Sequence, residues 1–196
     1  MDGFQILDHR SGQREFVTAK LDLQPTLKGQ WVTLRPLLRS DFEALYAAAS
    51  DPLIWEQHPE PNRYQRPVFE TYFNSGIECR GAFAILDSKT GKIIGSTRFY
   101  SHDTELKEVV IGYTFIERAY WGKKHNPEMK KMLLEHAFQK ADRVLFYIGE
   151  KNTRSRKAIE SIGAVLIDRS ERTLPDGSPH VDVIYKIDKS DYRSPL

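Results

Sequence analysis

The stretch Ile116-Glu-Arg-Ala-Tyr-Trp-Gly-Lys-Lys-His-Asn126 constrains this chain most, because it joins the strongest strand pattern to the strongest helix pattern. Before it, Val109 to Ile116 reads as a strand. After it, Met129, Met132, Leu133, Leu134, Ala137 and Phe138 recur at helical spacing and predict a helix from Pro127 to about Ala141. Asn126 is expected to cap that helix. Pro127 would take its first position, where the missing N–H has no intrahelical partner anyway. Glu128 falls in the first turn, where negative charge is favourable. Such a helix start offers unpaired backbone N–H groups and a positive dipole end, and Gly122, Lys123 and Lys124 stand directly before it. Backbone donors, one unbulky residue and two cations suit a diphosphate. Gly-Lys-Lys is also an ordinary solvated turn, and the Gly-x-x-x-x-Gly-Lys-[Ser/Thr] pattern of a P-loop is absent.

The 196 residues are about one domain's worth. Trp31 to Arg35 alternates as a strand, and Ser40 or Asp41 can cap a helix through Phe42, Leu45, Tyr46 and Ala49. A Pro-punctuated loop leads to a helix from about Pro67 to Cys79. Ala82–Leu86 and Ile93–Tyr100 form a hairpin around Lys89-Thr90-Gly91-Lys92. Val144–Ile148 is a short apolar strand, and Thr153 to Ile162 a helix ended by Gly163. Val165–Ile167 and Val181–Ile187 close the order, joined by Pro175-Asp176-Gly177. Residues 1 to 26 read either as a hairpin around His9-Arg10-Ser11-Gly12 or as a loosely docked arm, and 191–196 as a tail. The main domain is 27–190. Hairpins followed by strand–helix–strand units predict an α/β (α+β) fold. It would have a single mixed, mostly antiparallel sheet of about seven strands, with helices on both faces.

Charge and cysteine content narrow the function classes. With 29 Lys+Arg against 27 Asp+Glu, the net charge of +2 disfavours a broad nucleic-acid surface, so an anion site must be local. The single Cys79 excludes an internal disulfide and a multi-cysteine zinc cluster. Six scattered histidines without paired spacing argue against a metal site. No apolar run reaches the ~18 residues of a membrane span, and the N-terminal residues lack a signal peptide's apolar core. The expectation is a cytoplasmic protein, monomeric or homodimeric.

Four stretches in order resemble the GNAT superfamily of acyl-CoA-dependent N-acyltransferases, most closely the branch with bacterial ribosomal-protein N-terminal acetyltransferases. They are Leu27-Lys-Gly-Gln-Trp-Val-Thr-Leu-Arg-Pro-Leu37, Lys92-Ile-Ile-Gly-Ser96, Ile111-Gly-Tyr-Thr-Phe-Ile116 with Tyr120-Trp-Gly-Lys123, and Asn152-Thr-Arg-Ser-Arg-Lys-Ala-Ile-Glu-Ser-Ile-Gly163. The resemblance spans about residues 27 to 187 and implies an acyl-CoA N-acyltransferase-like fold. It departs at the phosphate loop, [Arg/Gln]-x-x-Gly-x-[Gly/Ala]. Lys124 stands where the first motif glycine is expected and Asn126 where Gly or Ala is expected. A side chain at Lys124 is costly if that position needs a positive φ.

The chemistry implied is direct attack of an amine on the acetyl-CoA thioester, with acetyl-CoA as co-substrate and no metal. The protein must orient two substrates, take a proton from an ammonium, stabilise an oxyanion and protonate a thiolate. The resemblance assigns the pantetheine arm to Thr114, Phe115 and Ile116, and the diphosphate to Trp121, Gly122, Lys123, Lys124, His125 and Asn126. Asn152 would touch the pantetheine, and Arg154, Arg156 and Lys157 would face the 3′-phosphate. Many relatives carry a Glu base where Val110 stands. Glu108, on the same strand face, is the stand-in, acting through a water. A tyrosine acid is replaced by Ile159, which leaves Ser155 as the acid. Trp55, Glu56, His58 and Tyr64 are expected in the acceptor wall, an aromatic and an acid suiting an ammonium. Each has a plainer reading: Ser155 and Asn152 as helix-start residues, Glu108 as a solvated strand-end acid, Trp55 as a core anchor. The functional reading is an N-acetyltransferase acting on a small amine or a protein N-terminus. Its rival is a non-catalytic acyl-CoA-binding or partner-binding module that kept the fold.

Overall fold

The structure, a computed structural model, describes residues 20–174 and 177–193. The strands are β1 Leu27–Lys28, β2 Val32–Pro36, β3 Ala82–Asp87, β4 Ile93–Asp103, β5 Glu108–Ile116, β6 Arg143–Gly149, β7 Val165–Thr173 and β8 Pro179–Asp188. The α-helices are α1 Phe42–Ala49, α2 Arg66–Glu78, α3 His125–Ala137 and α4 Thr153–Glu160, with short 3-10 turns between several elements. All eight strands form one sheet in the order β1-β2-β3-β4-β5-β6-β8-β7. The sheet is mixed and mostly antiparallel, as expected, with β5–β6 its parallel pair. The eighth strand is the two-residue β1, too short to leave a periodicity. The last helix joins β6 to β7, but β8 inserts between them and pairs antiparallel with both.

Helices cover both faces. Phe83, Ile94, Val109, Ile111, Met129, Leu133 and Val144 belong to one buried cluster, on the α3 side. Leu45, Trp55, Phe69, Tyr72, Phe73 and Phe115 belong to the other, against α1 and α2. The expected hairpin at residues 4–17, the Pro175-Asp176 turn and the end of the tail lie outside the described residues. Where the described chain begins it is docked: Leu21 is buried in the first cluster, and the His136 ring contacts Asp22 O at 2.7 Å.

Helix α3 starts two residues before the expected position. Lys124 already has near-helical angles (φ −70°, ψ −9°), and the Glu128 N–H bonds Lys124 O at 3.1 Å. Asn126 is therefore inside the first turn rather than its cap. Pro127 sits at the third helical position, where its missing N–H again costs nothing. Glu128 does more than face a dipole. Its carboxylate accepts the N–H groups of Gln30, Trp31 and Val32 at 2.8, 2.7 and 2.9 Å, pinning the β1–β2 turn to α3. Glu128→Ala leaves these donors without their anion and is expected to lower stability by about 2 kcal/mol, read as a lower denaturant midpoint with unchanged slope.

Candidate active site

Two strands that begin paired and then part create the site. β5 and β6 are in register only at Glu108↔Arg143, Val109↔Val144 and Val110↔Leu145. Beyond this, β5 carries one extra residue against β4. Its register jumps from Ser96↔Phe115 to Arg98↔Gly112, and Tyr113 adopts φ 51°. A bulge of this kind bends its strand, and a positive φ at a bulky residue persists only where its surroundings enforce it. The enforcement is visible. The Tyr72 hydroxyl donates to Tyr113 O at 2.7 Å, and the buried Arg98 guanidinium lies 3.8 Å from the Tyr113 ring centroid.

The parted strands open a cleft of about 920 Å³. Thr114, Phe115 and Ile116 line one wall, with Phe146 to Gly149 opposite. Trp121, Gly122 and Asn126 lie on the α3 side, and Asn152, Arg154 and Ser155 on the α4 side. The fold thus brings together most of the residues assigned to a thioester co-substrate. Gly122 has φ 69°, an angle that glycine adopts without strain, whereas Lys124 at −70° is in a region open to any residue. The missing motif glycine therefore carries no backbone penalty here. Among the described residues, the N–H groups of Gly122, Lys124, His125 and Asn126 take no backbone carbonyl partner, so the donors an anion needs are present. These donors and the cleft beside them fit a CoA-like molecule.

Other assigned residues fall elsewhere. Glu108 does not line the cleft. It lies where the strands are still paired, and its carboxylate accepts from Arg143 Nη1 at 2.9 Å, away from the cleft lining. His125 is buried with its Nε2 3.1 Å from Asp87 Oδ2, so its ring belongs to the packing beneath the loop. Lys123 and Lys124 are exposed at the rim, their ammonium groups 5.5 and 5.8 Å from the Tyr120 and Trp31 ring centroids. Arg156 is engaged by structure: it donates to the Tyr185 hydroxyl at 2.9 Å and to Glu150 O at 3.2 Å. Asn152 caps α4, its Oδ1 accepting from Ser155 N at 3.1 Å, and both residues line the cleft.

Of the four residues expected in the acceptor wall, two line the cleft. Trp55 and His58 line the cleft, but Trp55 is only 2% exposed and its indole N–H donates to Ala49 O at 2.8 Å. A cation is already at its ring: the buried Arg63 guanidinium, 5.6 Å from the Trp55 centroid and 4.9 Å from that of Tyr72. Tyr64 packs against the second core cluster and is not in the wall. Glu56 pairs with Arg154 at 2.6 Å, and Arg154 covers the Trp121 ring at 3.9 Å. Gln57 Oε1 accepts from the Thr153 hydroxyl and Arg154 N, and Asp51 pairs with Arg118. The 51–58 segment is thereby tied to both sides of the cleft.

Burial and the Arg63 guanidinium pull the His58 pKa down to about 3. Both ring nitrogens face donors, Glu60 N at 3.0 Å and Arg63 Nη1 at 3.1 Å. Unfolded, this histidine takes a proton below about pH 6.5, while the folded state does not. Its contribution to stability is therefore intact above pH 6.5 and falls as pH drops toward 3. His58→Gln is expected to flatten the stability profile between pH 6.5 and 4.5, before most carboxylates titrate; a profile of unchanged slope in urea melts across that window would contradict this.

Sequence reasoning missed Arg63, Tyr72, Arg98 and Lys130, all bordering or supporting the cleft. One signal was available. Lys130 stands on the apolar face of its helix, three, four and seven residues before Leu133, Leu134 and Ala137.

With this geometry in view, residues 32–165 match the family description "Acetyltransferase (GNAT) domain". The chain belongs to the GNAT acetyltransferase family. A protein of T. thermophilus assigned as an acetyltransferase is 28% identical, covering 85% of this chain and 90% of that one, with a TM-score of 0.71. Mycobacterium smegmatis RimJ in complex with CoA-disulfide is 20% identical over 81% of this chain and 82% of that one, at a TM-score of 0.64. The ribosomal-protein-S5-alanine acetyltransferase of Vibrio fischeri is 15% identical over 87% and 100%, at 0.65. At the latter two identities the likeness is one of fold. Family membership makes the protein an acyltransferase. No helix among the described residues is long and apolar enough to cross a membrane.

Proposed function

We propose that this protein moves an acetyl group from acetyl-CoA to a primary amine, on a small molecule or a protein N-terminus, by direct attack within a ternary complex. One observation carries the reading. The cleft between β5 and β6 joins a rim of free N–H donors, at Gly122, Lys124, His125 and Asn126, to an aromatic-walled end at Tyr100, Tyr113 and Tyr147. A diphosphate at the rim would leave the pantetheine arm to run along Thr114–Ile116, and the acceptor to enter from the far end. CoA in the RimJ complex and the alanine acceptor named for the Vibrio fischeri protein support the same pairing of substrates.

In this arrangement the protein acts mainly by orientation. The β5 bulge would free backbone from the ladder beside the thioester, and the Ser155 hydroxyl, which lines the cleft, would be one hydrogen-bonding group available to the departing sulfur. A second reading, a binding module without turnover, draws on the cleft's carboxylates: Glu60 is paired with Arg63 and Asp182 with Arg172 and His180. Thiol release from acetyl-CoA, measured against a panel of small amines and short peptides alongside CoA affinity, separates the two. The proposal expects acceptor-dependent release. CoA binding with no release on any acceptor would favour the module.

A further inference from the structure

Lys130 is a buried cation of the cleft with no carboxylate beside it. It is 5% exposed, lines the cleft from α3, and lies five residues beyond the start of that helix, about 7.5 Å along its axis at 1.5 Å per residue. Its ammonium donates to the Thr114 hydroxyl at 3.3 Å, and the Phe146 ring centroid is 5.4 Å away. Thr114 Oγ1 is itself bonded to Thr97 Oγ1 at 2.8 Å, so that hydroxyl is fixed in place. An ammonium has three donors, and one is used. No carboxylate offsets the burial, which alone brings the pKa down to about 8. Charged groups elsewhere on the cleft walls are taken up with one another: Glu60 with Arg63, Asp182 with Arg172, Arg154 with Glu56. A buried cation without a counter-charge is costly, and the cost is recovered when an anion arrives.

We propose that Lys130 is a catalytic residue whose ammonium meets the negative charge that collects on sulfur as the acyl thioester is cleaved. The inference rests on the acetyl-CoA reading above. When the amine nitrogen bonds to the carbonyl carbon, the carbon–sulfur bond breaks and its electron pair goes to sulfur. The surplus proton of the amine passes to water. The thiolate is held by the Lys130 ammonium, which gives it a proton on release and regains one from solvent. A general acid works best when its pKa lies near the operating pH, and burial brings Lys130 toward that range, at about 8. A diphosphate is not the anion that Lys130 awaits, because the free N–H donors for it lie at the rim.

The test compares CoA with desulfo-CoA, in which hydrogen replaces the thiol, and follows bound thiolate by its ultraviolet absorbance from pH 6 to 9.5. In the wild-type protein the bound thiol is expected to titrate at least one unit below free CoA, so that CoA outbinds desulfo-CoA at least about fivefold at the pH where free CoA is half ionised. Lys130→Met is expected to erase that preference while holding desulfo-CoA within about twofold, and Lys130→Arg to retain most of it. A bound thiol that titrates like free CoA in the wild-type protein would overturn the proposal without any variant. So would a Lys130→Met protein that loses both ligands equally. If neither CoA nor desulfo-CoA binds the wild type, the acetyl-CoA reading fails first. If both bind alike, that reading stands and the role of Lys130 falls.

Discussion

Ala158→Trp is expected to abolish CoA binding, with at least about a 100-fold loss of affinity, while the protein stays folded. Ala158 lies on α4, lines the cleft between β5 and β6, and is partly buried. An indole there points into space rather than into packed core, so the overpacking cost that attends buried enlargements is avoided. The ligand, by contrast, must share a cleft of about 920 Å³ with a side chain that fills the gap where its arm would lie. Losing the enclosed part of a ligand of this size removes several kcal/mol, hence the magnitude. Titration calorimetry reads the affinity and a urea melt reads the fold. Normal CoA affinity in Ala158→Trp would move the binding site elsewhere on the molecule.

Phe69→Ala is expected to destabilise the protein by about 4 kcal/mol, the usual range for a buried phenylalanine. Phe69 is fully buried and sits among Phe42, Tyr46, Tyr72, Phe73 and Phe115, with ring centroids 5.5 to 6.4 Å away. The cavity left by its ring adjoins two residues that shape the site. Tyr72 holds the Tyr113 carbonyl of the bulge, and Phe115 lines the cleft. Loss of stability is thus expected together with weaker acceptor use, even where enough folded protein remains to assay. A denaturant midpoint shifted by less than a quarter of that amount would show that this cluster repacks freely.

Periodicity in the sequence carries the helices and strands because burial writes it there. The Met129–Leu134–Ala137 stripe and the Val32–Leu34 alternation are both buried faces, and most elements formed within a few residues of their expected bounds, whereas β7 runs on to Thr173, past the expected Ile167, with every residue exposed. Two kinds of information were not periodic. Helix α3 starts early because Pro127 is tolerated anywhere in the first turn, so a proline there marks a region rather than a residue. The bulge at Tyr113 depends on Tyr72 and Arg98, which lie on other elements, and no local pattern announces it. Thr114, which the resemblance singled out, and Gly122, which the loop reading singled out, line one cleft, because a strand–loop–helix connection is local. Glu108 lies outside it, because face alternation says which side of a strand a residue takes, not where along the strand its neighbour parts from it. Of the two readings of Trp55, its burial and the indole bond to Ala49 O favour the core anchor. Arg63, eight residues on, had already supplied the cation.

A crystal structure of the protein with CoA tests the central claim most directly. The diphosphate is expected on the N–H groups of Gly122, Lys124, His125 and Asn126, and the pantetheine arm between β5 and β6 with its sulfur nearer Thr114 than the rim. CoA bound anywhere outside that gap, or a gap that stays empty at saturating CoA, would contradict it.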